Sequence, residues 1–183
     1  MKGIIFNAVE AAVTDLYSAD TWDDLLAAAE LDGHYTSIGS YDDAELVALV
    51  GAGCAATGHS TEELLRALGT HAFAHLATRH PEFVQGATDT RAFLRSVDEI
   101  IHPEVMKLHP EATPPRFEFE DRDDGCLRMT YSSERKLGVL AEGLIHGAAK
   151  WFDQSVTLTL VEGAGEASTV YDVAFDHHAN AGE

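Results

Sequence analysis

Apolar residues recur at helical spacing through the first half of the chain. Between residues 2 and 17, Ile5, Val9, Ala12, Val13 and Leu16 fall on one face, which predicts an amphipathic helix. Thr21 followed by Asp24 fits a capping box for a short second helix through Trp22, Leu25, Leu26 and Ala29, ending before Asp32-Gly33. Residues 34–41 show no period and read as a loop. Asp42-Asp43 opens a third helix through Leu46, Val47, Leu49 and Val50, with the acidic pair at its electropositive end. After a break at Gly58, Ser60-Thr61-Glu62-Glu63 is a further capping box, heading a helix through Leu64, Leu65, Leu68, His71, Phe73, His75 and Leu76.

A longer helix is predicted from Thr90 to Leu108, with Phe93, Leu94, Val97, Ile101, Val105 and Leu108 among its apolar positions. It carries His102. Pro103 follows directly, removing an amide donor and crowding the carbonyl four residues back, so a kink is expected there. His109 lies seven residues on, near the same face, but Pro110 beside it marks the helix end. After Pro114-Pro115 the period becomes two. Residues 116–120 alternate around Phe117 and Phe119, Asp124-Gly125 signals a tight turn, and residues 126–131 return as the second strand of a hairpin. A helix follows over 136–152 through Leu137, Leu140, Leu144, Ile145 and Ala148, weakened by Gly138 and Gly143. Residues 155–161 and 168–175 read as strands joined by a turn at Gly163-Ala164-Gly165. Helices followed by an antiparallel sheet interrupted by one helix make an α+β fold.

Composition narrows the setting. With 183 residues, 45% hydrophobic and 23% charged, the chain reads as a single domain with one substantial core. The net charge of -19, from 31 acidic against 12 basic residues, argues against nucleic acid or an anionic membrane as partner. It leaves open a well-solvated surface, a salty habitat or a basic protein partner. Cys54 and Cys126 form no CxxC arrangement, which fits a reducing compartment without a disulfide framework. Asn7 and Glu10 interrupt the N-terminal apolar group before a signal-peptide core could form, and no apolar run reaches membrane-span length. A cytoplasmic protein is expected.

The candidate chemistry lies between Asp98 and Arg135. In a strand, alternate side chains share a face, so Tyr131, Ser133 and Arg135 would project two hydroxyls and a guanidinium to one side. Such a set suits paired carboxylates, and with His102 as a metal ligand it points to haem and its propionates. The pattern alone also fits an exposed strand end, and His102 alone a core histidine. His71 and His75, four apart on one helix face, could hold a metal or simply hydrogen-bond; no third ligand is evident. His177-His178 read as surface.

Met1-Lys2-Gly3-Ile4-Ile5, Asp98-Glu99-Ile100-Ile101-His102, Thr113-Pro114-Pro115 and Tyr131-Ser132-Ser133-Glu134-Arg135 occur in that order. On these residues the chain resembles the H-NOX family of haem nitric oxide/oxygen-binding domains over nearly its whole length. The resemblance implies one domain over residues 1–183, with a distal helical subdomain at 1–58. It also implies a proximal subdomain at 59–183, built of a helix and a four-stranded antiparallel sheet, and haem b between the two. It implies His102 as the proximal iron ligand, and Tyr131, Ser133 and Arg135 as the propionate holders. Ile5 and Pro115 are implied as porphyrin contacts.

The same resemblance implies a sensor in which nitric oxide weakens the iron–histidine bond and frees the helix of His102 to shift. Oxygen-binding members place a tyrosine where this chain has Leu140, so the gas expected here is NO, with CO, rather than O2. Leu144 is expected beside Leu140; Val9 and Ala74 offer no donor on that side, and Thr78 is the one hydroxyl to consider. No kinase motif or cyclase-like extension is present, so the chain itself is not read as an enzyme. Its effector is expected to be a separate protein such as a histidine kinase or a cyclic-dinucleotide enzyme. A haem peroxidase or oxygenase would need acid–base groups over the open iron face, and residues 1–17 and 137–145 supply no His–Arg pair. A non-haem module for apolar ligands would use the same cavity without His102 as ligand.

Overall fold

The structure is a computed structural model and describes residues 1–161 and 168–176. The expected turn at 163–165 and the pair His177-His178 lie outside the described residues. The chain divides into two compact units, Met1–Pro81 with Val139–Leu144, and Glu82–Gly138 with Ile145–Glu183.

The first unit is helical. Helices α1 (Gly3–Leu16), α2 (Ala19–Ala28), α3 (Asp43–Thr57) and α4 (Thr61–Arg79) appear where the apolar spacing predicts them. Their inward stripes bring together Phe6, Val9, Val13, Trp22, Leu46 and Leu49, all at most 4% exposed. The caps follow local chemistry. Asp42 accepts from the Ala44 amide at 2.9 Å. Ser60 Oγ accepts from the Glu63 amide at 3.2 Å while Glu63 accepts from the Ser60 amide at 2.8 Å. The second helix starts earlier than expected: Ser18, extended at φ -169°, is its cap and accepts from Thr21, which is already helical. Gly58 ends α3 in the left-handed region at φ 75°. Helix α4 packs on α1 and α3, and the first unit runs to Pro81.

The loop at 34–41 is held by rings and by backbone bonds to residues 1–4, among them an isolated antiparallel bridge between Lys2 and Ser40. Tyr35 stacks on Phe6 at 4.2 Å and Tyr41 meets Phe6 edge-on at 5.8 Å. Burial raises the Tyr35 pKa, and its hydroxyl donates to Glu45 at 2.9 Å, whose negative charge adds to the shift.

The second unit carries the sheet. Strands β1 (Arg116–Asp121), β2 (Leu127–Ser132), β3 (Ser155–Leu160) and β4 (Ser168–Asp176) form an antiparallel sheet in the order β1-β2-β4-β3. Leu127, Met129 and Tyr131 alternate inward on β2, as Tyr171 and Val173 do on β4. Gly125, at φ 84°, turns the hairpin. Helix α7 (Gly138–Trp151) has residues in both units.

The predicted helix over 90–108 is three segments. Helix α5 (Thr90–Ser96) leads into a π-turn at Val97–Ile101 and then α6 (His102–Leu108). The His102 amide reaches back five residues to the Val97 carbonyl. The physical cause is Pro103: it cannot donate to a carbonyl four residues back, and its ring needs room there, so the helix widens by one residue instead of merely bending. His109 caps the end of α6, as Pro110 predicts. Arg91 and Arg95 tie α5 to Asp121 of β1 at 2.9 and 2.7 Å. By contrast α6 has no buried residue.

Candidate functional site

His102 sits at the join of the π-turn and α6. Its side chain is 17% exposed, with Asp98 Oδ1 3.9 Å from Nδ1. Nδ1 itself is buried with no partner in hydrogen-bond geometry, so the remaining exposure belongs to other atoms of the side chain. Burial lowers the His102 pKa; the Asp98 carboxylate and the Pro115 backbone oppose that without overcoming it. The shift favours the neutral side chain, the form in which imidazole binds a metal.

The ring is located by β1. Phe117 stacks on His102 at 5.8 Å with 28° between planes, and meets Tyr131 edge-on at 5.5 Å. Phe117 and Tyr131 are paired across the β1–β2 ladder. The ladder thus connects the histidine to the buried end of β2, where Tyr131 is 4% exposed.

Ser133 and Arg135 are close by in the chain, but not through strand alternation. The strand stops at Ser132, and residues 133–136 form a turn with Lys136 at φ 53°. Ser133 accepts from the Arg135 amide through its hydroxyl and from the Lys136 amide through its carbonyl, both at 3.2 Å. This local competition for the backbone ends the ladder. The Arg135 guanidinium then donates to the Thr113 carbonyl and, at 2.9 Å, to Thr113 Oγ1. Arg135 thereby ties the β2–α7 turn to the Thr113-Pro114-Pro115 segment. His102, Pro115, Tyr131, Ser133 and Arg135 all belong to the second unit.

The other expected contacts, Ile5, Leu140 and Leu144, belong to the first unit. Leu140 is 8% exposed, Val9 2%, while Ile5 and Leu144 are half-buried. Thr78 is exposed and its hydroxyl donates to the Ala74 carbonyl at 2.7 Å. His75 pairs with Asp15 at 2.8 Å, and no group of three or more metal-ligating side chains occurs among the described residues. The sequence named Asp98 and Thr113 in motifs and Phe117 in a strand but gave none of them a role at the site. Only Asp98 had a readable signal, its four-residue spacing from His102.

A neutral imidazole with one nitrogen turned inward, a guanidinium and two hydroxyls are the donor types that iron and propionates require. Residues 2–160 match the haem-NO-binding family. The chain belongs to the H-NOX family. An H-NOX protein from S. oneidensis, solved in the Fe(II)NO state, shares 30% identity over 96% of this chain and 99% of that one, at TM-score 0.87. The unliganded Fe(II) H-NOX protein from K. algicida shares 28% over 98% of each chain, at 0.84. An oxygen-binding H-NOX domain related to soluble guanylate cyclases, solved as its oxygen complex, shares 26% over 96% of this chain and 95% of that one, also at 0.84. H-NOX domains are haem-based gas sensors, and relatives in both the NO and the O2 state are similar to this chain. No helix among the described residues is long and apolar enough to cross a membrane.

Proposed function

We propose that this H-NOX domain holds haem b through His102 and reports nitric oxide to a separate effector protein. The observation that carries this reading is the setting of His102. With Nδ1 buried and Pro115 and Asp98 beside it, Nε2 is the ring nitrogen available to a metal. When bound, the haem iron supplies one open position for a diatomic gas.

The chain's own residues divide the remaining work. Arg135, which bonds Thr113 here, would hold a propionate, with the Tyr131 and Ser133 hydroxyls as further donors. Ile5 and Pro115 provide apolar bulk for the porphyrin. Leu140 and Leu144 give the gas no hydrogen bond, and Thr78 uses its hydroxyl within its own helix. Bound O2 gathers negative charge and depends on a donor; NO and CO do not. NO, with CO, is therefore the selected class. The effector in this reading is a separate protein, a histidine kinase or a cyclic-dinucleotide enzyme. With a charge of -19, neither nucleic acid nor an anionic membrane is a partner, and the cytoplasm is the expected setting.

Absorbance of the haem-reconstituted, reduced protein tests this reading. A Soret band is expected that NO shifts and that air changes only by slow oxidation. His102→Gly should lose the five-coordinate ferrous spectrum and regain it with added imidazole. Absence of a Soret band in the unmodified protein overturns the haem reading. Loss of the spectrum in His109→Ala but not in His102→Gly overturns the ligand.

A further inference from the structure

One polar group at the site has no role in the haem reading. Asp98 lies on the π-turn four residues before His102, and its Oδ1 accepts the backbone N–H of Phe117 at 3.1 Å. The same oxygen is 3.9 Å from His102 Nδ1, a buried atom with no partner in hydrogen-bond geometry, and the Pro115 backbone carbonyl beside the ring is the other acceptor. An unpaired buried ring nitrogen is costly, and a carboxylate at that distance needs to close by only about 1 Å to accept from it. The neighbours limit how the ring can respond. Phe117 covers one face, and the β1 bond of Asp98 holds the carboxylate against that same residue.

We infer that Asp98 is a positioning residue for His102: its carboxylate accepts a hydrogen bond from Nδ1–H, which keeps the proton on Nδ1, leaves Nε2 as the lone-pair nitrogen and makes the imidazole a stronger donor to iron. This rests on the reading of His102 as haem ligand. A second partner on the ligand's other nitrogen sets ring orientation and basicity, and a charged acceptor does so more strongly than a neutral one. The π-turn is part of the device. It places Asp98 over His102 while the rest of α6 remains without buried anchors, so Asp98 is also the link by which β1 restrains the ligand.

The test compares Asp98→Asn and Asp98→Ala with the unmodified protein, all haem-reconstituted and checked for folding by far-ultraviolet circular dichroism. The iron–histidine stretching band of the ferrous form is read by resonance Raman, and haem loss by transfer to a scavenging globin. Asparagine keeps an oxygen for the Phe117 amide but loses the charge; alanine loses both. The expected result is a downshifted stretch in Asp98→Asn and a further downshift in Asp98→Ala, with haem loss in the latter about ten-fold faster. A stretch in Asp98→Asn equal to that of the unmodified protein overturns the proposal and leaves Asp98 a backbone cap of β1. An unmodified protein with no iron–histidine band at all would instead overturn the haem-ligand reading beneath it.

Discussion

At the scale of single residues, Arg135 and Leu140 decide different properties. Arg135 is the one guanidinium in the Tyr131–Arg135 motif, and charge-assisted bonds contribute roughly 1.5–3 kcal/mol each. Arg135→Ala is therefore expected to weaken haem retention about ten-fold or more, measured as transfer to a scavenging globin. Arg135→Lys should recover only part of it, because an ammonium cannot span the planar fork that Thr113 now occupies. Equal transfer rates in all three would remove Arg135 from the site. Under the proposed function Leu140 lies on the gas side, so Leu140→Tyr would add a hydroxyl donor there and is expected to give an O2-dependent spectrum absent from the unmodified protein. The types of these residues were readable from the chain. Their geometry was not: Ser133 bonds the turn that follows it, and that turn swings Arg135 out of the strand alternation that spacing alone implies.

At the scale of elements, backbone contacts set the tolerances. Gly69 of α4 and Gly143 of α7 let the two backbones approach so closely that a Cβ on Gly143 would lie 2.3 Å from the Arg66 carbonyl oxygen. Arg66 and Glu142 pair beside this crossing at 2.7 Å, and Thr70 donates to the Gly143 carbonyl at 3.2 Å. Gly143→Ala must push the helices apart and is expected to cost roughly 1–3 kcal/mol, seen as a lower melting temperature. An unchanged melt would mean that the crossing is looser than its distances. In the sheet, Arg128 and Asp172 are directly paired across β2 and β4 with two bonds of 2.7 Å. The Arg128 bonds hold the Asp172 carboxyl below the usual range. A depressed folded pKa stabilises above the unfolded value and is lost as pH falls through the folded one. Asp172→Asn should therefore lower the melting temperature at neutral pH, and the gap to the unmodified protein should shrink in acid. Glycines in the 136–152 pattern read as weakness in the sequence, yet Gly143 is where α7 meets α4, because only a partner helix reveals what a missing Cβ is for.

At the scale of the whole molecule, a charge of -19 over 183 residues is a standing self-repulsion that specific pairs offset only locally. Raising sodium chloride from a few millimolar to about 0.15 M shortens the screening length to about 8 Å and is expected to raise the melting temperature. A fall with salt would show that the ion pairs outweigh the net repulsion. What the sequence determined by itself was periodic or local: the helices and strands, most of their caps, the α+β class and the residue types of the site. Those follow from side-chain spacing and from donors within a few residues of one another. The tertiary structure decided what depends on distant neighbours. Phe117 of β1 stacks on the His102 ring, the Pro115 backbone stands beside it, and Thr113 takes the Arg135 guanidinium. No spacing rule encodes these, because each is a packing solution between segments whose separation in the chain carries no information about their separation in space.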